Sequence, residues 1–451
     1  MPLPDSPAQE LRKAQALLAS CADVSRIEMM IPDINAVLRG KWLPVDGLDS
    51  AYREGVRLAG SVFALDLWGT EVMASGMISH NGDPDAVCYP VPDGLQLCHW
   101  MEPPAAQLLV SMYNMDGSPF FADPSHILAA LVRQLQQAHQ LTPVVAIELE
   151  FHLLDKAADP QQAQESTHAE VYSLQELERY RPLFDEIESV CRQQGIPSDS
   201  IITEAGANQF EINLHHQPDA VQACRDAILL KRVIKALADK HGLIASFMAK
   251  PFANDAGNGL HANLSLIDEQ GRNVFCSPGP GGSALMQSAI AGLLDIMAES
   301  TLLFAPHGNS YRRFAPESHA PTAICWGVDN RNVAIRLPRD AGPAMRLEHR
   351  VAGADANPFL VLAGILAGIL HGLDASPAIP GPEQAIPDPD EFDSVPCHWD
   401  QAIALFRESR VLRKALGGRF CDLYIHTKEQ ELATLRSRIS DVEYERYFLQ
   451  S

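Results

Sequence analysis

The sequence predicts an α+β protein: a small, mostly β N-terminal unit followed by a larger unit that mixes helices with strands. Three observations carry that expectation. At 451 residues and 49.3 kDa the chain is too long for one ordinary core. Short β-like runs separated by turn residues fill positions 26–115. Beyond about residue 116, long helical periodicities alternate with strand-like runs. The composition, 46% hydrophobic and 20% charged with a mean hydropathy of −0.07, is that of a folded chain. There is no repeat or coiled-coil period.

In chain order, residues 7–22 alternate apolar and polar groups with the period of a short opening helix. RIEMMIPD, VFALDL and QLLVSMYN read as strands, with Gly82-Asp83-Pro84-Asp85 and Pro92-Asp93-Gly94 as turns. Asp123 and Pro124 supply an N-cap and an N1 proline for the helix HILAALVRQLQQAHQ. The domain boundary is therefore expected just before it, giving units 1–115 and 116–451. Further helices are expected at about 174–194, 219–241, 283–304, 357–373 and 398–415, and in DVEYERYFLQS. The apolar stretch Pro358–Leu373 is short for a bilayer span and reads as a buried helix. Asp374–Pro396 carries six prolines and reads as a stiff surface loop.

Lys+Arg number 35 against 57 Asp+Glu, a net charge of −22. Such a surface repels phosphate backbones and anionic lipid, so nucleic-acid and membrane binding are not expected. An anionic substrate is still possible where arginines gather locally. The N-terminus MPLPDSPAQE shows no secretory signal. Nine scattered cysteines without a Cys-x-x-Cys fit reduced thiols, and the expected location is cytoplasmic.

Five strand-like runs share one chemistry. In VVAIELEFHLL, Val145, Ile147, Leu149 and Phe151 alternate with Glu148, Glu150 and His152, so two glutamates stand side by side on one face. NQFEINLHH places Gln209, Glu211 and Asn213 on one face, and LHANLSL does so with His261, Asn263 and Ser265. MRLEHRV presents Arg346, Glu348 and Arg350, and NVAIRL presents Arg336. Any one such strand is most simply half-solvated. Together they repeat glutamate where strands seldom carry it, and like charges on neighbouring strands repel unless neutralised. Carboxylates with one imidazole suit magnesium or manganese. Adding arginines gives the equipment of a metal-dependent enzyme that handles phosphate.

Over these strands the sequence resembles the glutamine synthetase family, in order and over nearly the whole chain. IELEF resembles its E-x-E-F strand, EAGANQFE its E…GQ-x-E segment, and FMAKP…GNGLHANLSL its K-P…G-x-G-x-H-x-H-x-S-L run. HGNSYRRF, DNRNVAIRLP and RLEHRVAGADANPFL resemble N-S-Y-K-R, N-R…R-x-P and R-x-E-x-R…A-N-P-x-L; PDINAVLRGK and DGSPFFADPS also have counterparts. The resemblance implies an N-terminal β-grasp domain and a catalytic domain built on a curved antiparallel sheet with flanking helices. It implies a homo-oligomeric ring, a hexamer or stacked dodecamer, with active sites at subunit boundaries. The chemistry it implies is formation of γ-glutamyl phosphate from ATP and glutamate, followed by amine attack. By motif, Glu150, Glu204 and Glu211 resemble the ligands of one Mg²⁺ or Mn²⁺, and Glu148, His261 and Glu348 those of a second. Arg313 and Arg350 resemble the glutamate-holding arginines, with Gly257 beside them. Arg331, Arg336 and Arg346 resemble the phosphate arginines, Arg331 with a catalytic role, and Asn263 and Ser265 join the ATP side.

Three positions depart from the family pattern. His319 stands where the flap glutamate precedes Ala-Pro, with Glu317 two residues earlier; Asn263 replaces the second histidine of H-x-H; and Ala207-Asn208 replaces a Pro-Gly pair. Loss of the flap carboxylate weakens selection for bare ammonium, whereas a histidine can serve as base for an alkylammonium. Asp66 matches, more loosely, the aspartate that the family uses at the amine site across the subunit boundary. The expected function is thus a ligase joining glutamate to an amine larger than ammonia, similar to the γ-glutamylputrescine synthetase branch. Glutamine synthetase proper and an inactive ring-forming homologue are the alternatives. Acids would suit a diamine or polyamine; apolar walls, with Trp68, Phe314 and Trp326 as candidates, would suit a bulky monoamine. A neutral His319 slightly favours the latter.

Overall fold

The computed structural model describes residues 7–78, 82–157, 170–279, 281–315, 318, 320–339, 342–388, 391–448 and 450. The strands are β1 (Ile27–Pro32), β2 (Leu38–Leu43), β3 (Val56–Ala59), β4 (Asp85–Cys98), β5 (Ala105–Tyr113), β6 (Thr142–Asp155) and β7 (Ser198–Thr203). They continue as β8 (Gln209–Leu214), β9 (Leu243–Ser246), β10 (Leu260–Ile267), β11 (Trp326–Val328), β12 (Ile335–Leu337) and β13 (Leu347–His349). The first five form one sheet in the order β2-β1-β5-β4-β3. Its central pair, β1 and β5, is parallel and the rest antiparallel, an order consistent with a β-grasp.

Two expectations in this region fail. VFALDL is not a strand: Gly60–Ala64 forms a 3₁₀ turn, and Leu65 contributes only an isolated bridge to Glu71. The Asp66 carboxylate accepts from the backbone of Trp68 and Thr70, and Asp66 N donates to Thr70 O, so a side-chain-closed turn cuts the run short. Pro92-Asp93-Gly94 is not a turn between strands either. It lies inside β4, where the register against β5 shifts between Pro90 and Leu95 and Asp93 adopts φ 50°.

The remaining strands form an eight-stranded sheet, β11-β12-β13-β10-β6-β8-β7, with β9 paired to the end of β6. All neighbours are antiparallel except β11 and β12. Its apolar face (Ile147, Leu149, Phe151, Phe210, Ile212, Ala262 and Leu264) is fully buried. The helix Ala220–Lys240 packs on β6 and β9. Helix Pro358–Ala375 starts from the Asn357 cap with proline in its first turn. It is apolar and long enough to cross a membrane, at mean hydropathy 1.7, but 78% of it is buried inside the protein. It packs against helices Ala284–Asp295 and Pro124–His139, so it is the core helix that the sequence implied.

Three of the expected helices are each two. The chain breaks at Tyr180 ahead of Pro182, at Ile296, and at Ser409, whose hydroxyl caps the next helix at Leu412. A 19-residue helix, Gly418–Arg436, was not anticipated. Its buried face carries Lys428 and Glu431, each fully buried, and that pair interrupts the apolar stripe by which helices are recognised.

Candidate active site

Antiparallel pairing brings the charged faces of four strands together. Glu148 on β6 lies opposite His261 on β10, and Glu150 opposite Glu211 on β8. Glu348 on β13 lies opposite Asn263. Because alternate residues share a face, apolar partners go to the helices and the polar set to one cavity of about 500 Å³.

His261 is at the centre. Its Nδ1 is 3.2 Å from Glu148 Oε2, 3.9 Å from Glu348 Oε1 and 4.0 Å from Glu211 Oε2; Nε2 is 3.9 Å from Glu150 Oε1. Two groups emerge with ligand atoms within 4.8 Å of one another: Glu148, His261 and Glu348; and Glu150, Glu211 and His261. Glu204 lines the same cavity outside both tight groups.

The charges are only partly offset by protein. Burial, then Glu148, Glu150 and Glu204, push Glu211 well above the usual carboxylate range. Burial and Glu150 raise Glu204 to about 7, against His261 and Arg331. Burial would raise Glu348 too, but Arg350, His261 and Arg336 override it and hold the carboxyl at about 2. Arg336 donates to Glu348 Oε2 at 2.6 Å and Arg350 to Oε1. Mutual repulsion among hard oxygen donors around one imidazole is the situation that a divalent cation relieves, so the donor set fits magnesium or manganese.

The cavity also receives Gly257, Arg313, Arg331, Arg336 and Arg350. Arg313 is buried and donates to Val351 O at 3.0 Å. A Cβ on Gly257 would lie 2.7 Å from Arg313 Cγ and 2.6 Å from Ala249 O, so only glycine fits there. Arg331 is exposed, and its Nη1 donates to the Tyr172 hydroxyl at 3.4 Å. Asn263 and Arg346 lie just outside: Asn263 Nδ2 donates to Glu148 Oε1 at 2.7 Å, and Arg346 Nε donates to Asn263 Oδ1 at 3.1 Å. Ser265 lies further along β10, opposite Val144, and does not line the cavity.

His319, with Glu317, lies outside the described residues. Asp66 is buried elsewhere in the chain, where its Oδ2 accepts from Gln430 at 2.8 Å. Of the candidate aromatic walls, Phe314 and Trp326 are core, and Trp68 is exposed beneath the Arg438 guanidinium. Sequence reasoning undervalued Gln209, whose amide donates to Glu150, Gly257 O and Asn258. It missed Tyr172, held at φ 60° on the cavity rim. Gln209 lay on the acidic face of its strand and could have been found; Tyr172 carries no pattern signal.

Residues 121–447 match the family described as glutamine synthetase, catalytic domain. The chain belongs to the glutamine synthetase family. Over 93% of its length, and 90% of the relative's, it is 39% identical to gamma-glutamylputrescine synthetase PuuA of Escherichia coli K12. It is 30% identical to glutamate–isopropylamine ligase of a Pseudomonas species, covering 94% of this chain and 95% of the relative. Among solved structures, a GmaS/ADP complex superposes with a TM-score of 0.84 at 26% identity, covering 97% and 99% of the two chains. Glutamine synthetase family enzymes use divalent metals and ATP, and the two acid–imidazole groups are donor sets able to hold such metals.

Proposed function

We propose that this protein is an ATP-dependent ligase that joins the γ-carboxyl of glutamate to an amine larger than ammonia, by way of γ-glutamyl phosphate. The observation that carries the proposal is the joining of two acid–imidazole groups at His261 in one cavity with four arginines. The relatives named for putrescine and isopropylamine, and a histidine at the flap position 319, support the larger amine.

In this reading Glu150, Glu204 and Glu211 hold one divalent metal, and Glu148, His261 and Glu348 the other. Bound there, the metals supply charge neutralisation beside the ATP phosphates. Arg331, Arg336 and Arg346 take up further phosphate charge, with Asn263 and Ser265 on the ATP side. Arg313 and Arg350, beside Gly257, orient glutamate. Its γ-carboxylate oxygen displaces ADP from the terminal phosphorus, and the arginines stabilise charge that would otherwise repel the nucleophile. The amine then attacks the acyl carbon and inorganic phosphate leaves. A base takes the ammonium proton, and the candidates are His319 of the flap and, from an adjoining subunit, Asp66. The assembly is a homo-oligomeric ring with shared sites, in which residues 1–115 form the β-grasp unit and 116–451 the catalytic unit.

Mass spectrometry of the products from ATP, glutamate, Mg²⁺ and either putrescine or isopropylamine tests the reading. A γ-glutamylamide formed in step with ADP supports it. ATP turnover that ignores glutamate, or no amide with any amine, contradicts it.

A further inference from the structure

A second cavity, of about 700 Å³, opens between the first sheet's loops and the segment around β9. Lys231 and Lys235 lie on its wall, with their ammonium groups 5.1 and 5.5 Å from the centre of the same ring, Phe247. In a protein with 57 acidic residues and a net charge of −22, neither lysine has a carboxylate in ion-pair range among the described residues. The Nζ of Lys231 donates only to a neutral acceptor, Ala354 O, at 2.6 Å. Burial and the neighbouring Lys235 ammonium push Lys231 down to about 7, with only Asp355 opposing. On the same wall the Trp100 indole N–H is buried without an acceptor. Lys235 is exposed, but the partly buried Lys231 ammonium beside it and the orphan Trp100 donor are costly unless an acceptor joins them.

We propose that this cavity binds a small organic anion, a carboxylate or phosphate on an apolar body, and that Arg313 senses its occupancy. The anion accepts from Lys231, Lys235 and the Trp100 indole, and its apolar body lies along Ile228 and Met248. Segment 351–355 makes the connection. Ala354 O holds Lys231, Val351 O holds Arg313 at 3.0 Å, and Asp355 Oδ2 accepts from Ser310, three residues before Arg313, at 2.6 Å. A ligand that draws Lys231 from Ala354 biases this segment and so the arginine. The binding claim stands by itself, whereas the effect on glutamate rests on the role proposed for Arg313.

Calorimetric titration of the full-length protein with benzoate, at saturating glutamate, tests the binding. Benzamide is the uncharged control. The expected result is one saturable site per chain for benzoate and none for benzamide. Lys235→Met, outside the proposed catalytic groups, should weaken binding at least about tenfold, or about 1.4 kcal/mol, with kcat retained in the absence of benzoate. Lys231→Met should do the same. Absence of saturable heat, equal binding of benzamide, displacement by glutamate, or indifference to both substitutions overturns the site. Steady-state kinetics then read the coupling: benzoate should shift the glutamate KM at least about twofold in the wild type and not in Lys235→Met. Binding without that shift overturns the coupling alone. A protein that binds benzoate but shows no glutamate-dependent turnover contradicts the ligase reading and leaves the site standing.

Discussion

Asn263 holds Glu148: the amide Nδ2 donates to the carboxylate Oε1 at 2.7 Å, while its Oδ1 accepts from Arg346. An uncharged side chain thus fixes a proposed metal ligand and links it to a proposed phosphate arginine. Asn263→Ala should weaken Mn²⁺ activation by about 10–100-fold, the usual effect of losing a residue that orients a ligand. Titrating activity with Mn²⁺ checks this. Asn263→Asp sets a second carboxylate against Glu148 and should lower the Tm of the metal-free protein, a loss that Mn²⁺ offsets.

Gly257 makes a different demand. A Cβ there meets Arg313 Cγ at 2.7 Å and the backbone oxygen of Ala249 at 2.6 Å, and the backbone cannot yield as a flexible side chain could. Gly257→Ala should raise the glutamate KM at least about tenfold (about 1.4 kcal/mol) and leave the ATP KM within about twofold. Equal damage to both substrates would point to general disruption of the site.

The pH dependence of stability follows from the cavity carboxylates. Glu204 ionises near 4.5 when unfolded and near 7 in the metal-free fold. Between those values the unfolded chain binds fewer protons, so raising the pH destabilises the metal-free protein. Glu211 shifts the same way. Glu348, held at about 2, has the opposite sign: its contribution is present above its unfolded value and is lost as pH falls toward 2. With chelator present, the Tm should therefore drop from about pH 5 to about pH 7.5, and the gain from Mg²⁺ should grow over the same span. A metal-free Tm rising through that window would contradict the assignment of raised carboxylates.

Lys428 and Glu431 form an ion pair at 2.9 Å that is fully buried. Glu431 also accepts from Asn35 at 2.8 Å and from Leu67 N at 3.0 Å. The pair therefore ties helix Gly418–Arg436 to loops of the first sheet. Glu431→Ala should cost about 3–5 kcal/mol, because it leaves a buried ammonium unpaired. The double substitution Lys428→Met, Glu431→Leu should recover part of that loss, as denaturant unfolding can show.

The legible parts of the molecule were those with period or motif behind them. Alternation puts Glu148 and Glu150 on the polar face of β6, Glu211 on that of β8 and His261 on that of β10, and strand pairing joins those faces. Sequence reading failed where tertiary contacts override local pattern. Phe63 and Ala64 read as strand residues, but they lie in the 3₁₀ turn Gly60–Ala64, with the turn closed by the Asp66 carboxylate following at once. Helix Gly418–Arg436 was hidden because Lys428 and Glu431 interrupt a buried face otherwise carried by Phe420, Leu423, Tyr424 and Ile425. Tyr172 reaches the cavity by a backbone turn at φ 60°, and composition carries no trace of that turn. The cation-lined cavity joins residues from Asn35 to Asp355, so no local window could reveal it.

The central claim is that this glutamine synthetase family member uses an amine larger than ammonia. Phosphate release with ATP, glutamate and Mg²⁺, measured across ammonia, alkylamines, diamines, polyamines and arylalkylamines, tests it most directly. A larger amine should exceed ammonia by more than about tenfold in kcat/KM, equivalent to about 1.4 kcal/mol of discrimination. Ammonia as the best substrate would contradict the account and make the protein a glutamine synthetase with histidine in its flap.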